Sequence, residues 1–225
     1  MTITIAASIL SANFAHLGDE SKNILQAGAD CIHFDVMDHH FVPNLSFGSI
    51  VCSALRNDGV TADIDVHLMV TDPEAYIEPF AKAGATRLTF HPAALKNASD
   101  VDALCDKISN ANLKCGLAFN PDKPVDIAKS TWNKIDLILI MSVFAGFGGQ
   151  SFIPESLEKI RNTKKLIDQY NTTIFLAVDG GIKVDNIARV VNAGANFIVM
   201  GSGLFDTENY GARIKSLRDC AQAAA

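Results

Sequence analysis

Strand and helix signals alternate along the whole chain, and this alternation constrains the fold more than any single motif. Apolar, β-branched runs occur at 3–9, 31–37, 64–70, 87–91, 114–119, 137–143, 173–178 and 197–200. Longer stretches with helical spacing and charged faces separate them. Within 154–170, Leu157, Ile160, Leu166 and Ile167 form one apolar stripe, and Pro154 suits a first helical turn. A short signature recurs at three helix-to-strand passages: AGAD at 27–30, AGAT at 83–86 and AGAN at 193–196. Each reads as a helix stopped by a glycine in a left-handed conformation, then a tight turn into the next strand. Eight strand-then-helix units with no Pro/Gly/Ser-rich linker predict one α/β domain over 1–225, a closed (β/α)8 barrel. Only 221–225 reads as a loose tail. The alternative is an open doubly wound sheet with a dinucleotide turn. The GFGG at 146–149 follows a strand but lacks the GxGxxG spacing such a turn requires.

Composition narrows the partners. At 225 residues, 48% hydrophobic and 20% charged, the chain can bury a sizeable core without disulfide staples. A net charge of −6 argues against nucleic acid and against an anionic membrane surface, while a local site can still take a small anion. Five cysteines (Cys31, Cys52, Cys105, Cys115 and Cys220) without a CxxC pair argue against a disulfide framework or a zinc ribbon. The opening MTITIAASIL lacks the basic region and cleavage site of a signal peptide, and no run approaches roughly 18 apolar residues. A reducing cytoplasm is the expected location.

In a barrel of parallel strands, chemistry gathers at the C-terminal strand ends. Ionisable residues fall there in this chain. On the second strand His33, Asp35 and Met37 alternate and share a face; on the third His67 and Met69 do; the seventh ends in Asp179-Gly180-Gly181. Burying one unpaired carboxylate costs several kcal/mol. Any one of these residues alone reads as structural, a histidine on a carbonyl or a carboxylate on a helix end. Together, His33, Asp35, His67 and Asp179 read as ligands of a divalent cation, since imidazole and carboxylate both suit zinc, iron(II) or manganese. Met37, Met69 and Met141 also sit late in their strands, where core packing and the lining of a reactive pocket are both open readings. Glycine-rich loops follow three consecutive strands: Gly146-Phe147-Gly148-Gly149, Gly180-Gly181 and Gly201-Ser202-Gly203. Such loops let backbone N–H groups approach a phosphate, which barrels often bind after strands seven and eight.

These segments resemble the ribulose-phosphate 3-epimerase family from Ile5 to about Phe205. The resemblance rests on Ser8-Ile-Leu-Ser-Ala-Asn13, His33-Phe-Asp35-Val-Met37-Asp38, Asp65-Val-His67-Leu-Met69, Met141-Ser142-Val, Gly146-Phe-Gly-Gly149-Gln150-Ser-Phe152, Val178-Asp179-Gly-Gly181 and Gly201-Ser202. It implies a ribulose-phosphate-binding barrel and an isomerase of the pentose phosphate pathway. The implied reaction interconverts D-ribulose 5-phosphate and D-xylulose 5-phosphate through an enediolate. It further implies one divalent cation (zinc, iron(II), manganese or cobalt) on His33, Asp35, His67 and Asp179, with Asp35 as proton acceptor and Asp179 as proton donor. Ser8, His67, Asp179 and the three glycine loops are implied substrate contacts, Met37, Met69 and Met141 the pocket lining, and a homo-oligomer the expected assembly. Three positions depart from the family pattern. His39 stands where glycine is common, Phe144-Ala145 where Asn-Pro is common, and Ala93 where an acidic residue is usual. His39 is expected at the rim of the site, and the Phe147 segment as a lid over it. Three rivals are an epimerase for a six-carbon ketose phosphate, a phosphate-ester lyase or decarboxylase, and a catalytically dead binding barrel. The second calls for a strand-end lysine, which is missing: Lys114 lies early in its strand and Lys183 opens a helix.

Overall fold

Successive side chains of a strand point to opposite faces, and here both faces are buried. In the strand Cys31–Met37 every residue is buried. Ile32, Phe34 and Val36 pack outward with Ile24 and Leu55 of the flanking helices, whereas Cys31 joins an inner cluster with Ala6, Leu139, Ala177 and Val199. Two nested cores result, one between strands and helices and one inside the barrel. Burial of each large apolar side chain stabilises the fold by about 1.5–3 kcal/mol.

The computed structural model describes residues 3–97, 99–170 and 173–223. Eight parallel strands close in chain order: β1 (Thr4–Ser8), β2 (Cys31–Met37), β3 (Asp63–Met69), β4 (Arg87–Phe90), β5 (Lys114–Phe119), β6 (Leu137–Met141), β7 (Phe175–Asp179) and β8 (Phe197–Met200). Around them lie α1 (Leu17–Gln26), α2 (Ser49–Asn57), α3 (Ile77–Lys82), α4 (Ser99–Asn110), α5 (Ser156–Tyr170), α6 (Ile187–Asn192), α7 (Ser202–Phe205) and α8 (Tyr210–Gln222). No helix among the described residues is long and apolar enough to cross a membrane. The five cysteines are free.

The three AGAx passages are built as the sequence implies. Gly28, Gly84 and Gly194 have φ of 111°, 86° and 114°. The alanine after each glycine donates its N–H to a carbonyl five residues back: Ala29 to Ile24, Ala85 to Phe80 and Ala195 to Val190. This closing bond belongs to a Schellman-type helix end.

Three expectations need correction. Between β5 and β6 only a 3-10 turn forms, at Thr131–Asn133. Pro121 and Pro124 lie at the start of that connection, and neither supplies the N–H a helix needs. Helix α5 begins at Ser156, so Pro154 sits in the turn before it; its carbonyl accepts from Leu157 N–H. Helix α8 runs to Gln222 with Ala221 buried, so these two residues belong to the helix rather than a tail. Ala224 and Ala225 lie outside the described residues.

Candidate active site

Strands β2 and β3 are the longest in the barrel, at seven residues each, and pair from Cys31 with Asp63 to Met37 with Met69. That register sets His33 beside Asp65 and Asp35 beside His67. Strand β1 adds Ser8 next to His33, and β7 ends on Asp179, paired with Val199 of β8. The alternation that fills the barrel with apolar side chains lower down thus delivers four ionisable groups to its mouth.

His33, Asp35, His67 and Asp179 each offer a ligand atom, and these atoms all lie within 4.8 Å of one another. His33 and His67 are fully buried and form the floor. Asp35 is gripped from three sides. Ser8 Oγ donates to its Oδ2 at 2.6 Å, His67 Nδ1 lies 3.1 Å from its Oδ1, and His33 Nε2 lies 3.4 Å from the same oxygen. His33 Nε2 is buried without a hydrogen-bond partner, an orphan that a cation among these atoms would satisfy. Its other nitrogen, Nδ1, meets Asp65 Oδ2 at 2.9 Å, and Asp65 Oδ1 accepts from Arg87 Nη1 at 3.3 Å. A carboxylate behind one imidazole nitrogen leaves the other free to ligate, the usual support for a metal-binding histidine. The donor set therefore fits a divalent cation.

The two site carboxyls differ in their electrostatics. Burial alone would raise the Asp35 carboxyl, but the flanking imidazoles of His33 and His67 hold it well below the usual carboxylate range. Burial and the nearby Asp35 carboxylate push Asp179 up to about 6. Burial disfavours a charged His33, yet Asp35 and Asp65 push its imidazolium well above the ordinary range. Two carboxyls driven apart in this way are suited to opposite halves of a proton transfer.

Above this floor one cavity is lined by Ser8, Asp35, Asp179, the methionines Met37, Met69 and Met141, and the glycine loops Gly146 to Gly149, Gly180 to Gly181 and Gly201 to Ser202. The side chains that the sequence singled out meet here, with only His33 and His67 beneath rather than in the lining. No lysine lines the cavity. The loops need glycine for contact as well as flexibility. At Gly181, with φ of 64°, an added Cβ would fall 2.3 Å from Phe152 N. At Gly201 it would fall 2.5 Å from Ser11 Oγ.

Other side chains hold the loops in place. Asn44 Nδ2 donates to Gly146 O at 2.7 Å, joining the loop after β2 to the loop after β6. Gln150 Nε2 donates to Phe144 O and Phe147 O at 2.7 and 2.8 Å. Ser142 Oγ donates to Asp179 O and Gly180 O. The sequence alone assigns no role to Asn44, Gln150 or Asp65. Pairing across strands and loops supplies it, and periodicity along one strand cannot. His39 is exposed as expected, with φ of 61°, and does not line the cavity. That left-handed backbone is one that glycine adopts more readily than histidine. Phe144 and Phe147 are both 53% exposed over the site.

An eight-stranded parallel barrel with a buried His/Asp cluster beneath three glycine loops defines a barrel enzyme with a candidate metal centre. The chain belongs to the ribulose-phosphate 3 epimerase family, whose model matches residues 4–205. It is 52% identical over 206 residues to the ribulose-phosphate 3-epimerase of Serratia marcescens, covering 92% of this chain and 97% of that one. It is 49% identical over 214 residues to the enzyme of the same name from Escherichia coli strain K12, covering 95% and 94%. Among solved structures, 3-keto-L-gulonate-6-phosphate decarboxylase from Vibrio cholerae superposes over 100% of both chains with a TM-score of 0.74 at 18% identity. That likeness shows the shared barrel.

Proposed function

We propose that the chain catalyses the reversible epimerisation at C3 of D-ribulose 5-phosphate to D-xylulose 5-phosphate. The observation that carries the mechanism is the cluster in which Asp35 and Asp179, on strands β2 and β7, bring ligand atoms within 4.8 Å of each other over two buried histidines. Epimerisation needs a proton taken from one face of C3 and another returned to the opposite face. Asp35, held ionised by His33 and His67, takes the proton; Asp179, more readily protonated, returns one. His33, Asp35, His67 and Asp179 would hold a divalent cation, whether zinc, iron(II), manganese or cobalt, which would supply Lewis-acid stabilisation of developing negative charge. Ser8 Oγ, donating to Asp35 Oδ2, fixes the carboxylate and so leaves its Oδ1 on the side of the histidines. The glycine loops after β6, β7 and β8 offer backbone N–H groups to the phosphate, whose binding positions the reacting carbon. Met37, Met69 and Met141 line the cavity as an apolar wall that excludes water from the planar intermediate. Phe147 stands exposed over the opening as the closing side chain.

The test is epimerisation of ribulose 5-phosphate before and after chelation. Activity that falls by at least about 10²-fold in metal-stripped protein and returns with an added divalent cation supports this reading. Full activity in rigorously stripped protein overturns its metal component, and no activity with metal present overturns the substrate.

A further inference from the structure

The two histidines of the cluster are backed in different ways, and the second backing has no role in the mechanism above. His33 leans on the Asp65 carboxylate. His67 instead leans on another imidazole: its Nε2 lies 2.8 Å from Nε2 of His91. Both rings are buried, at 0% and 1% exposure. At that distance one nitrogen must carry a proton and the other a lone pair, so the contact selects a tautomer for each ring. His67 Nδ1 faces Asp35 Oδ1 at 3.1 Å, on the side of the ligand cluster. A neutral His67 that presents its Nδ1 lone pair to a cation must hold its proton on Nε2, and His91 Nε2 must accept it.

The geometry points to His91 as the positioning residue that fixes the tautomer and ring plane of His67, and through them the cation affinity of the site. This inference rests on the metal-centre reading above. His91 follows β4 directly and precedes Pro92, which opens a 3-10 turn, so its backbone is extended and anchored. Its ring lies between two others: Phe41 at 5.1 Å between centroids and His67 at 5.0 Å. Phe41 belongs to the loop after β2, so the stack ties the three strands β2, β3 and β4 together at the mouth. The chemical distinction from His33 is one of charge. A carboxylate behind an imidazole adds a negative charge to its surroundings, whereas an imidazole acceptor fixes the tautomer without adding one. With Asp35, Asp65 and Asp179 already close by, a neutral acceptor orients His67 without a fourth carboxylate.

The experiment compares full-length wild type, His91→Phe, His91→Ala and His91→Gln. Phe keeps an aromatic ring without an acceptor, Ala removes both and relieves any crowding by Phe, and Gln restores an acceptor oxygen. Cobalt(II) affinity is measured by competition with a chelator, alongside kcat and KM at limiting and saturating metal. The expected result is cation affinity about 10- to 100-fold weaker in the Phe and Ala variants, and partly recovered in Gln. Their kcat should rise toward wild type as metal is raised, with KM for the sugar phosphate little changed. Wild-type affinity in His91→Phe or in His91→Ala overturns the inference, and so does a Gln variant no better than Ala. A wild-type protein that takes up no cobalt overturns the metal-centre reading itself, and the inference falls with it.

Discussion

Between β2 and β4 the barrel mouth is made of ionisable side chains, whereas between β6 and β8 it is made largely of glycine backbone. The first arc carries His33, Asp35, His67 and His91, backed from beneath by Asp65 and by Arg87 at the start of β4, all of them buried. The second carries the loops at Gly146, Gly180 and Gly201, with Asp179 as its one acidic member in the cavity. The first arc is fixed by strand register and side-chain pairing, since β2 and β3 stay in register over their full seven residues. The second is fixed by close backbone approach, since any side chain at Gly181 would strike the Phe152 backbone. Under the proposed mechanism a mouth divided in this way would separate two tasks: one arc would handle protons and a cation, and the other would leave room and N–H groups for a phosphate.

Equivalent damage to each arc should therefore fail differently. The larger effect is expected from Arg87→Leu. Arg87 Nη1 lies 3.3 Å from Asp65 Oδ1, both side chains are at most 5% exposed, and its guanidinium sits over Phe175 and Phe197. Removing it leaves Asp65 a buried carboxylate with only His33 as partner, at a cost of about 3–5 kcal/mol in urea unfolding. Stability within about 1 kcal/mol of wild type would show that the first arc does not depend on its ion pair. A smaller effect is expected from Gly181→Ala. The strained backbone and the contact with Phe152 predict about 1–3 kcal/mol of destabilisation. They also predict a KM for the sugar phosphate that rises more than kcat falls. A variant with unchanged KM and a collapsed kcat would erase the division of tasks between the arcs.

The two arcs were also unequally legible in the sequence. In the first, His33, Asp35 and His67 stood out because charged residues at alternating strand positions conflict with packing. Their partners did not, because Asp65 and His91 acquire meaning only from register and from a contact 24 residues apart. In the second, glycine clusters after consecutive strands marked the loops, but the braces from Asn44 and Gln150 came from a distant loop and a side-chain fold-back. Strand boundaries were readable to within about two residues, since each apolar run overlaps its strand. The missing helix after β5 was readable in principle from Pro121 and Pro124, but the helical spacing of the neighbouring units outweighed them. The backbone of His39 was not readable from its own residue type, because a non-glycine residue rarely adopts a positive φ.

Under the proposed mechanism, Asp35 and Asp179 work from opposite faces of one carbon. The most direct measurement is hydrogen exchange at C3 in deuterated water, followed in Asp35→Asn and Asp179→Asn with each epimer as the starting compound. Both variants should lose net epimerisation by about 10²- to 10⁴-fold. Asp179→Asn should still exchange the C3 hydrogen of ribulose 5-phosphate without inversion, and Asp35→Asn should do so only for xylulose 5-phosphate. Near-normal epimerisation by either variant, or the same exchange pattern in both, would contradict it.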